Sequence, residues 1–242
     1  MNDYEKIWEG HLENNYFPSW ARLVKTIEYS EFKNIVLNDY GKTKDLILDM
    51  LAGDIIIIKN AISKNDVKKI KDDLYEYSKL TPEADYKTTE VIPNFHVKSK
   101  RRDASEDKGT RGYKIEDGYD EVGHSYYFYR WNKDELKIFN KIKDLWDTVK
   151  IFNGLDINQY KNNLPKDKII DQIQIIHYTA NEGEITSHCD MSRWQKTNLT
   201  VSLTEKGKDF HTGGQYFLDE NENRVYSEDL VKVGDAPLFI ST

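Results

Sequence analysis

Apolar positions in the first 52 residues recur at helical spacing: Trp8, Trp20 and Leu23, then Leu46, Ile47, Met50 and Leu51. Helical pieces are predicted there. Gly53-Asp54 breaks the pattern, and the isoleucines at 55–58 predict a buried strand, because β-branched side chains favour extended backbone. Ser63 is placed to cap a helix whose apolar positions Val67, Ile70, Leu74 and Tyr77 keep the helical period. From Thr81 to Gly123 the chain is polar with few apolar anchors, so segment 81–122 is expected to lack regular structure, as either a disordered stretch or a functional lid. Residues 125–131 are strongly β-prone. Leu136, Phe139, Ile142, Leu145, Trp146 and Val149 then mark an amphipathic helix.

Beyond about Asp171 the pattern changes to short strands, predicted at 172–178, 199–203, 215–218 and 237–240, with Gly213-Gly214 and Gly234-Asp235 as punctuation. Short strands at close spacing point to a sandwich or barrel, and helices followed by strands point to an antiparallel β core buttressed by helices. No internal repeat or Pro/Gly/Ser-rich linker divides the chain. The expectation is one domain over 1–242, with 1–150 a mostly helical buttress and 171–242 the core.

Composition narrows the function classes. The chain is 38% hydrophobic and 32% charged, but 5 Trp, 16 Tyr and 9 Phe supply enough bulk to close a core. With 35 basic against 42 acidic residues, the net charge of -7 argues against an electrostatic grip on nucleic acid or an anionic membrane. A single Cys excludes a disulfide framework and any multi-cysteine zinc site. The opening Met-Asn-Asp-Tyr-Glu has no apolar core, and the run at 55–58 is far too short to span a bilayer. A soluble, cytoplasmic protein is expected.

Candidate chemistry centres on His188-Cys189-Asp190. On extended chain, a His and an Asp two apart point to the same side and can reach one metal ion, whereas Cys189 points away. The surrounding order is distinctive: a strand ending in Tyr178, the turn-like Thr179-Ala180-Asn181-Glu182-Gly183, His188-x-Asp190, a strand from Asn198, then Gly213-Gly214 and Gly234-Asp235-Ala236-Pro237-Leu238-Phe239. This succession resembles the iron(II)/2-oxoglutarate-dependent dioxygenases, particularly the prolyl-hydroxylase-like branch, over roughly residues 171–242.

The resemblance implies a mainly β fold with flanking helices, a double-stranded β-helix (jelly-roll, cupin-like) core. It implies iron(II) held by His188 and Asp190, with 2-oxoglutarate and O2 as cosubstrates, and with Tyr178 hydrogen-bonding the far carboxylate of 2-oxoglutarate. Gln174, Ile176 and Tyr178 share one strand face by alternation, as do Asn198, Thr200 and Ser202. Gln174, Asn198 and Ser202 are therefore candidates to line the cosubstrate pocket. Arg193 and Trp194 sit where relatives place substrate contacts. The implied activity is hydroxylation of a small molecule or an amino-acid side chain, with release of succinate and CO2. No catalytic side chain beyond the metal ligands is implied.

In the family a distal His follows the Leu-Phe strand, and a basic residue for 2-oxoglutarate comes a strand later. Thr242 is 54 residues after His188, so the C-terminal strands are expected beyond the sequence given. Nothing in the sequence positions His96 or His124 for the ligand role. Lys98-Ser99-Lys100-Arg101-Arg102 is expected to be a solvated loop, and Tyr126 to Trp131 a half-buried strand rather than a ligand platform. The rival class is a non-catalytic cupin-like module binding a metal or a sugar.

Overall fold

The computed structural model describes residues 3–13, 20–86, 89–101, 121–186 and 196–240. In chain order its elements begin with α1 (Asp3–Glu13), β1 (Val24–Glu28), α2 (Tyr29–Asn38), α3 (Tyr40–Leu51), β2 (Ile55–Lys59) and α4 (Lys64–Leu80). They continue with β3 (Phe95–Arg101), β4 (Glu121–Tyr129), α5 (Ile138–Phe152), β5 (Gln172–His177) and β6 (Glu184–Ile185). The last are β7 (Asn198–Leu199), β8 (Tyr216–Leu218), β9 (Arg224–Tyr226) and β10 (Ala236–Phe239). The protein is thus a mixed α/β structure. Two compact units interleave along the chain: the first takes residues 1–71, 140–157 and 189–242, the second 72–139 and 158–188.

The first unit is organised on β2, whose four isoleucines are all buried, as their branching and apolarity predict. Its sheet has the order β1-β2-β10-β7. Ile56 and Ile58 share a face with Leu238 and Ala236 of β10, and on that face α2, α3 and α5 contribute Phe32, Val36, Ile47, Met50, Leu145, Val149 and Phe152. The Trp8 indole N–H donates to the Phe152 carbonyl at 3.0 Å and brings α1 into the same core. Burying each large side chain here contributes roughly 1.5–3 kcal/mol.

Two features depart from the sequence pattern. The helical reading of residues 1–52 holds for α1, α2 and α3 but not for β1, which pairs parallel to β2 from Val24↔Ile55 to Glu28↔Lys59. A parallel pair needs a crossover, supplied by α2 and α3; the sheet is mixed rather than purely antiparallel. The strand predicted at 199–203 is regular only over β7. Its pairing with β10 nonetheless continues, since Thr200 N donates to Pro237 O at 3.0 Å and Ser202 N to Asp235 O at 2.9 Å.

Ser63 caps α4 as expected: its Oγ accepts from Asp66 N at 3.0 Å and donates to the Asp66 carboxylate at 2.6 Å. The start of β10 is fixed by Gly234 and Asp235. Gly234 has φ +87°, accepts from Ile62 N at 2.9 Å and donates to Ser202 O at 2.9 Å. Asp235, 2% exposed, accepts from Asn60 N and Lys232 N, both at 2.8 Å, and from the Lys59 ammonium.

The second unit is built on the antiparallel order β3-β4-β5, with β6 pairing the first residues of β4. Segment 81–122, expected to lack regular structure, contains β3 and the start of β4. Lys98 to Arg101, expected in a loop, form the second half of β3, because Phe95 and Val97 anchor that strand among Tyr127, Tyr129 and Ile92. Tyr126, Phe128 and Tyr129 are buried, so most of the aromatic run is consumed by packing, as the half-buried-strand reading anticipated. Phe95 stacks on Tyr127 at 4.7 Å and Tyr129 on Trp131 at 4.5 Å between ring centroids. Among the described residues no helix is long and apolar enough to cross a membrane.

Gly234→Ala should be markedly more damaging than Gly207→Ala. Both glycines have positive φ, but a Cβ on Gly234 would fall against the Ile62 carbonyl oxygen, whereas Gly207 has open space around it. In urea unfolding, Gly207→Ala should cost about 1–2 kcal/mol and Gly234→Ala clearly more. Equal losses would contradict the assigned packing.

Candidate functional site

The residues singled out by sequence fall into three groups. His188, Cys189, Asp190, Arg193 and Trp194 lie outside the described residues. Gln174 and Tyr178 belong to the second unit, and Asn198 and Ser202 to the first.

Tyr178 follows directly on β5. Its ring packs over Gly123 of β4: a Cβ at that glycine would meet the Ile176 side chain at 3.2 Å and the Tyr178 ring at 3.5 Å. The missing side chain at 123 is what lets these two residues lean across the sheet. After Tyr178 the chain reverses, with Gly183 N donating to Thr179 O at 2.7 Å, and β6 returns to pair with Glu121 and Val122. The phenol is 40% exposed by residue, yet burial pushes its pKa up to about 12, and the neighbouring Glu121 carboxylate adds to the shift. A tyrosine is already protonated at physiological pH, and this shift moves Tyr178 further from ionisation. Gln174 is exposed and donates from Nε2 to the Tyr127 hydroxyl at 3.2 Å.

In the first unit the alternation read from sequence holds. Leu199, Val201 and Leu203 pack against the core, which places Asn198, Thr200 and Ser202 on the opposite face of the strand. Asn198 is buried and pairs with Phe239, whereas Ser202 is half-buried and bonded through its backbone to Gly234 and Asp235. Just before Asn198, the Thr197 hydroxyl and the Asn153 side-chain amide hydrogen-bond each other at 2.9 Å, and Lys196 Nζ donates to Asn153 O at 3.2 Å. This buried polar knot fixes where the chain re-enters after residue 195.

A constellation not anticipated from sequence lies in the second unit. His96 Nδ1 and His124 Nε2 are 2.8 Å apart, His96 Nε2 lies 2.8 Å from Thr81 O, and the Tyr126 hydroxyl lies 3.2 Å from His124 Nδ1. His124 is pushed down to about 4, first by burial and then by the neighbouring His96 and Lys98. The pairing depends on the register Lys98↔His124 and His96↔Tyr126, which no local pattern signals. Among the described residues no group of three or more His, Cys, Asp or Glu side chains is arranged to hold a metal ion.

No family model, curated protein or solved structure matches the chain.

The Tyr178 phenol gives a direct check on this geometry. In tyrosine ring-carbon NMR it should remain protonated at pH 11, where an ordinary tyrosine, with a pKa of about 10, is mostly ionised. Glu121→Gln should bring its midpoint down by only part of the displacement, because burial is the larger cause. A Tyr178 midpoint at the ordinary value would show that its ring is not covered as described.

Proposed function

We propose that the chain is an iron(II)/2-oxoglutarate-dependent oxygenase with a double-stranded β-helix core, hydroxylating a small molecule or an amino-acid side chain. The observation that carries this reading is Tyr178. It is a phenol placed just off the end of β5, ten residues before His188. A protonated phenol donates to a carboxylate, which is what the far end of 2-oxoglutarate presents. The turn at 179–183 and the re-entry at Asn198, braced by Asn153 and Thr197, bracket the segment that carries His188-x-Asp190.

The donor types suit the metal. A neutral imidazole and a carboxylate are two of the three ligands of the facial set that holds iron(II) with open positions opposite. His96 and His124 are engaged with each other and with Thr81, so that pair does not supply the remaining imidazole. Iron(II), when bound, supplies oxygen activation, with 2-oxoglutarate consumed to succinate and CO2. The chain's own contributions are the two ligands at 188 and 190 and the hydrogen bond that the Tyr178 phenol can donate. Substrate contacts are assigned to Arg193 and Trp194.

Full-length protein supplied with iron(II), ascorbate and 2-oxoglutarate should form succinate, slowly without substrate, and His188→Ala or Asp190→Ala should abolish it. Tyr178→Phe should raise the KM for 2-oxoglutarate about tenfold, the loss expected for one hydrogen bond to a charged group. Glu121→Gln should lower that KM, because it removes a negative charge beside the phenol. Succinate formation indifferent to His188 and Asp190 would defeat the assignment, and complete absence of succinate would favour a cupin-like binding module.

A further inference from the structure

The histidines of β3 and β4 form a hydrogen-bond chain whose direction is fixed at one end. The Thr81 carbonyl, just past the end of α4, can only accept, so His96 Nε2 carries the hydrogen that faces it at 2.8 Å. In neutral His96, Nδ1 must then accept, and His124 Nε2 donates to it across 2.8 Å. His124 Nδ1 in turn accepts from the Tyr126 hydroxyl at 3.2 Å. With both rings neutral, every ring nitrogen is satisfied when both are Nε2–H tautomers.

The chain joins three segments. His96 and His124 link β3 to β4, Thr81 links both to the end of α4, and Ala84 N donates to His96 O at 3.0 Å. The rings are enclosed: His96 is 1% and His124 9% exposed, with Tyr126 4.4 Å from His124 and Tyr77 of α4 5.8 Å from His96, between ring centroids.

We propose that the His96–His124 pair is a proton-operated latch: neutral, it closes β3 onto β4 and onto the end of α4, and proton uptake at His124 opens it. The gap between the facing nitrogens holds one hydrogen. In that arrangement the nitrogen of His124 left to receive a proton is Nδ1, so uptake there forces the Tyr126 hydroxyl to accept and to turn its own hydrogen elsewhere, and leaves a cation in an enclosed site. A second proton, on His96 Nδ1, would set two N–H groups against each other. The charged and titratable groups facing His124 do not relieve this. From β3, Lys98 stands directly opposite and His96 adjoins; from β5, His177 stands directly opposite. Among the described residues the anion acting on His124 is Glu83, which is already paired with Lys98 at 2.9 Å. The depressed pKa of His124 agrees with this balance. The sign follows: above about pH 6.5 the histidine is neutral folded or unfolded, so acid uptake costs nothing. As pH falls from there toward 4, the unfolded or opened state takes the proton that the closed state refuses, and closure is lost. The latch is independent of the iron reading, because none of its groups is a proposed metal ligand.

Amide hydrogen exchange tests it. Protection factors of β3 and β4 amides in the wild-type protein should fall at least about tenfold between pH 7 and pH 4.5, where a histidine pushed down to about 4 refuses a proton that an open one takes. His124→Gln keeps a donor toward His96 but cannot take up a proton, and its protection should change less than about threefold over that range. Tyr126→Phe removes the hydroxyl that holds Nδ1 as an acceptor and should move the loss to higher pH. Wild-type protection that is the same at both pH values, or an acid loss in His124→Gln equal to that of wild type, overturns the latch. If His124→Gln does not fold, imidazole nitrogen NMR on the wild-type protein decides: both rings should be Nε2–H tautomers at pH 7, with proton uptake at His124 coinciding with the loss of β3 protection. Uptake without that loss, or the opposite tautomer on either ring, also overturns it.

Discussion

The carboxylate of Asp235 is the constraint on which the first unit turns. It is buried, and it collects the Lys59 ammonium and the backbone N–H groups of Asn60 and Lys232 at the point where β10 begins. A buried carboxylate is tolerable only when its lone pairs are so filled, and removing one partner leaves an uncompensated charge. Gly234, one residue earlier, lets the backbone approach Ile62 closely enough to bond it. Together they set the register of β10 against β2, and β10 sets β7. The burial of Asn198 and the return of the chain after residue 195 follow from that register. A candidate cosubstrate contact is thus held by a carboxylate far from it in sequence.

The second unit solves a comparable problem with imidazoles and a phenol. Its three-stranded sheet presents one face carrying His96, His124 and Tyr126 and another carrying Ser125, Tyr127 and the gap at Gly123. On the first face the imidazoles hydrogen-bond one another, so these buried polar groups have partners. On the second, Gly123 makes room for Ile176 and Tyr178. Gly123 and His124 are neighbours in β4. The cradle of the candidate phenol and the histidine pair are therefore carried by the same short stretch of strand.

How much of this was legible in the sequence depended on whether the signal was local. β2 was legible because four adjacent isoleucines leave no other reading, and α4 and α5 because their apolar positions recur over several turns. The alternation of Leu199, Val201 and Leu203 against Asn198, Thr200 and Ser202 was legible for the same reason. β1 was not: in Val-Lys-Thr-Ile-Glu two apolar residues fall among helix-like neighbours, and its strand character comes from pairing with β2. β3 was hidden by Lys98, Lys100 and Arg101, which read as solvated loop, while Phe95 and Val97 hold the strand. The His96–His124 pair was invisible because its partners are 28 residues apart and meet only through the β3–β4 register. Of the candidate site, Tyr178 and the turn after it could be placed from local pattern. The Glu121 carboxylate beside the phenol could not, because β6 brings that end of β4 alongside.

The reading of the protein as an iron(II)/2-oxoglutarate-dependent oxygenase rests most heavily on joint binding of the metal and the cosubstrate. Anaerobic addition of iron(II) and then 2-oxoglutarate to the full-length protein is the most direct measurement. The account predicts a visible absorption band that appears only when both are present and is lost in Asp190→Ala. An iron-loaded protein whose spectrum is unchanged by 2-oxoglutarate would contradict it.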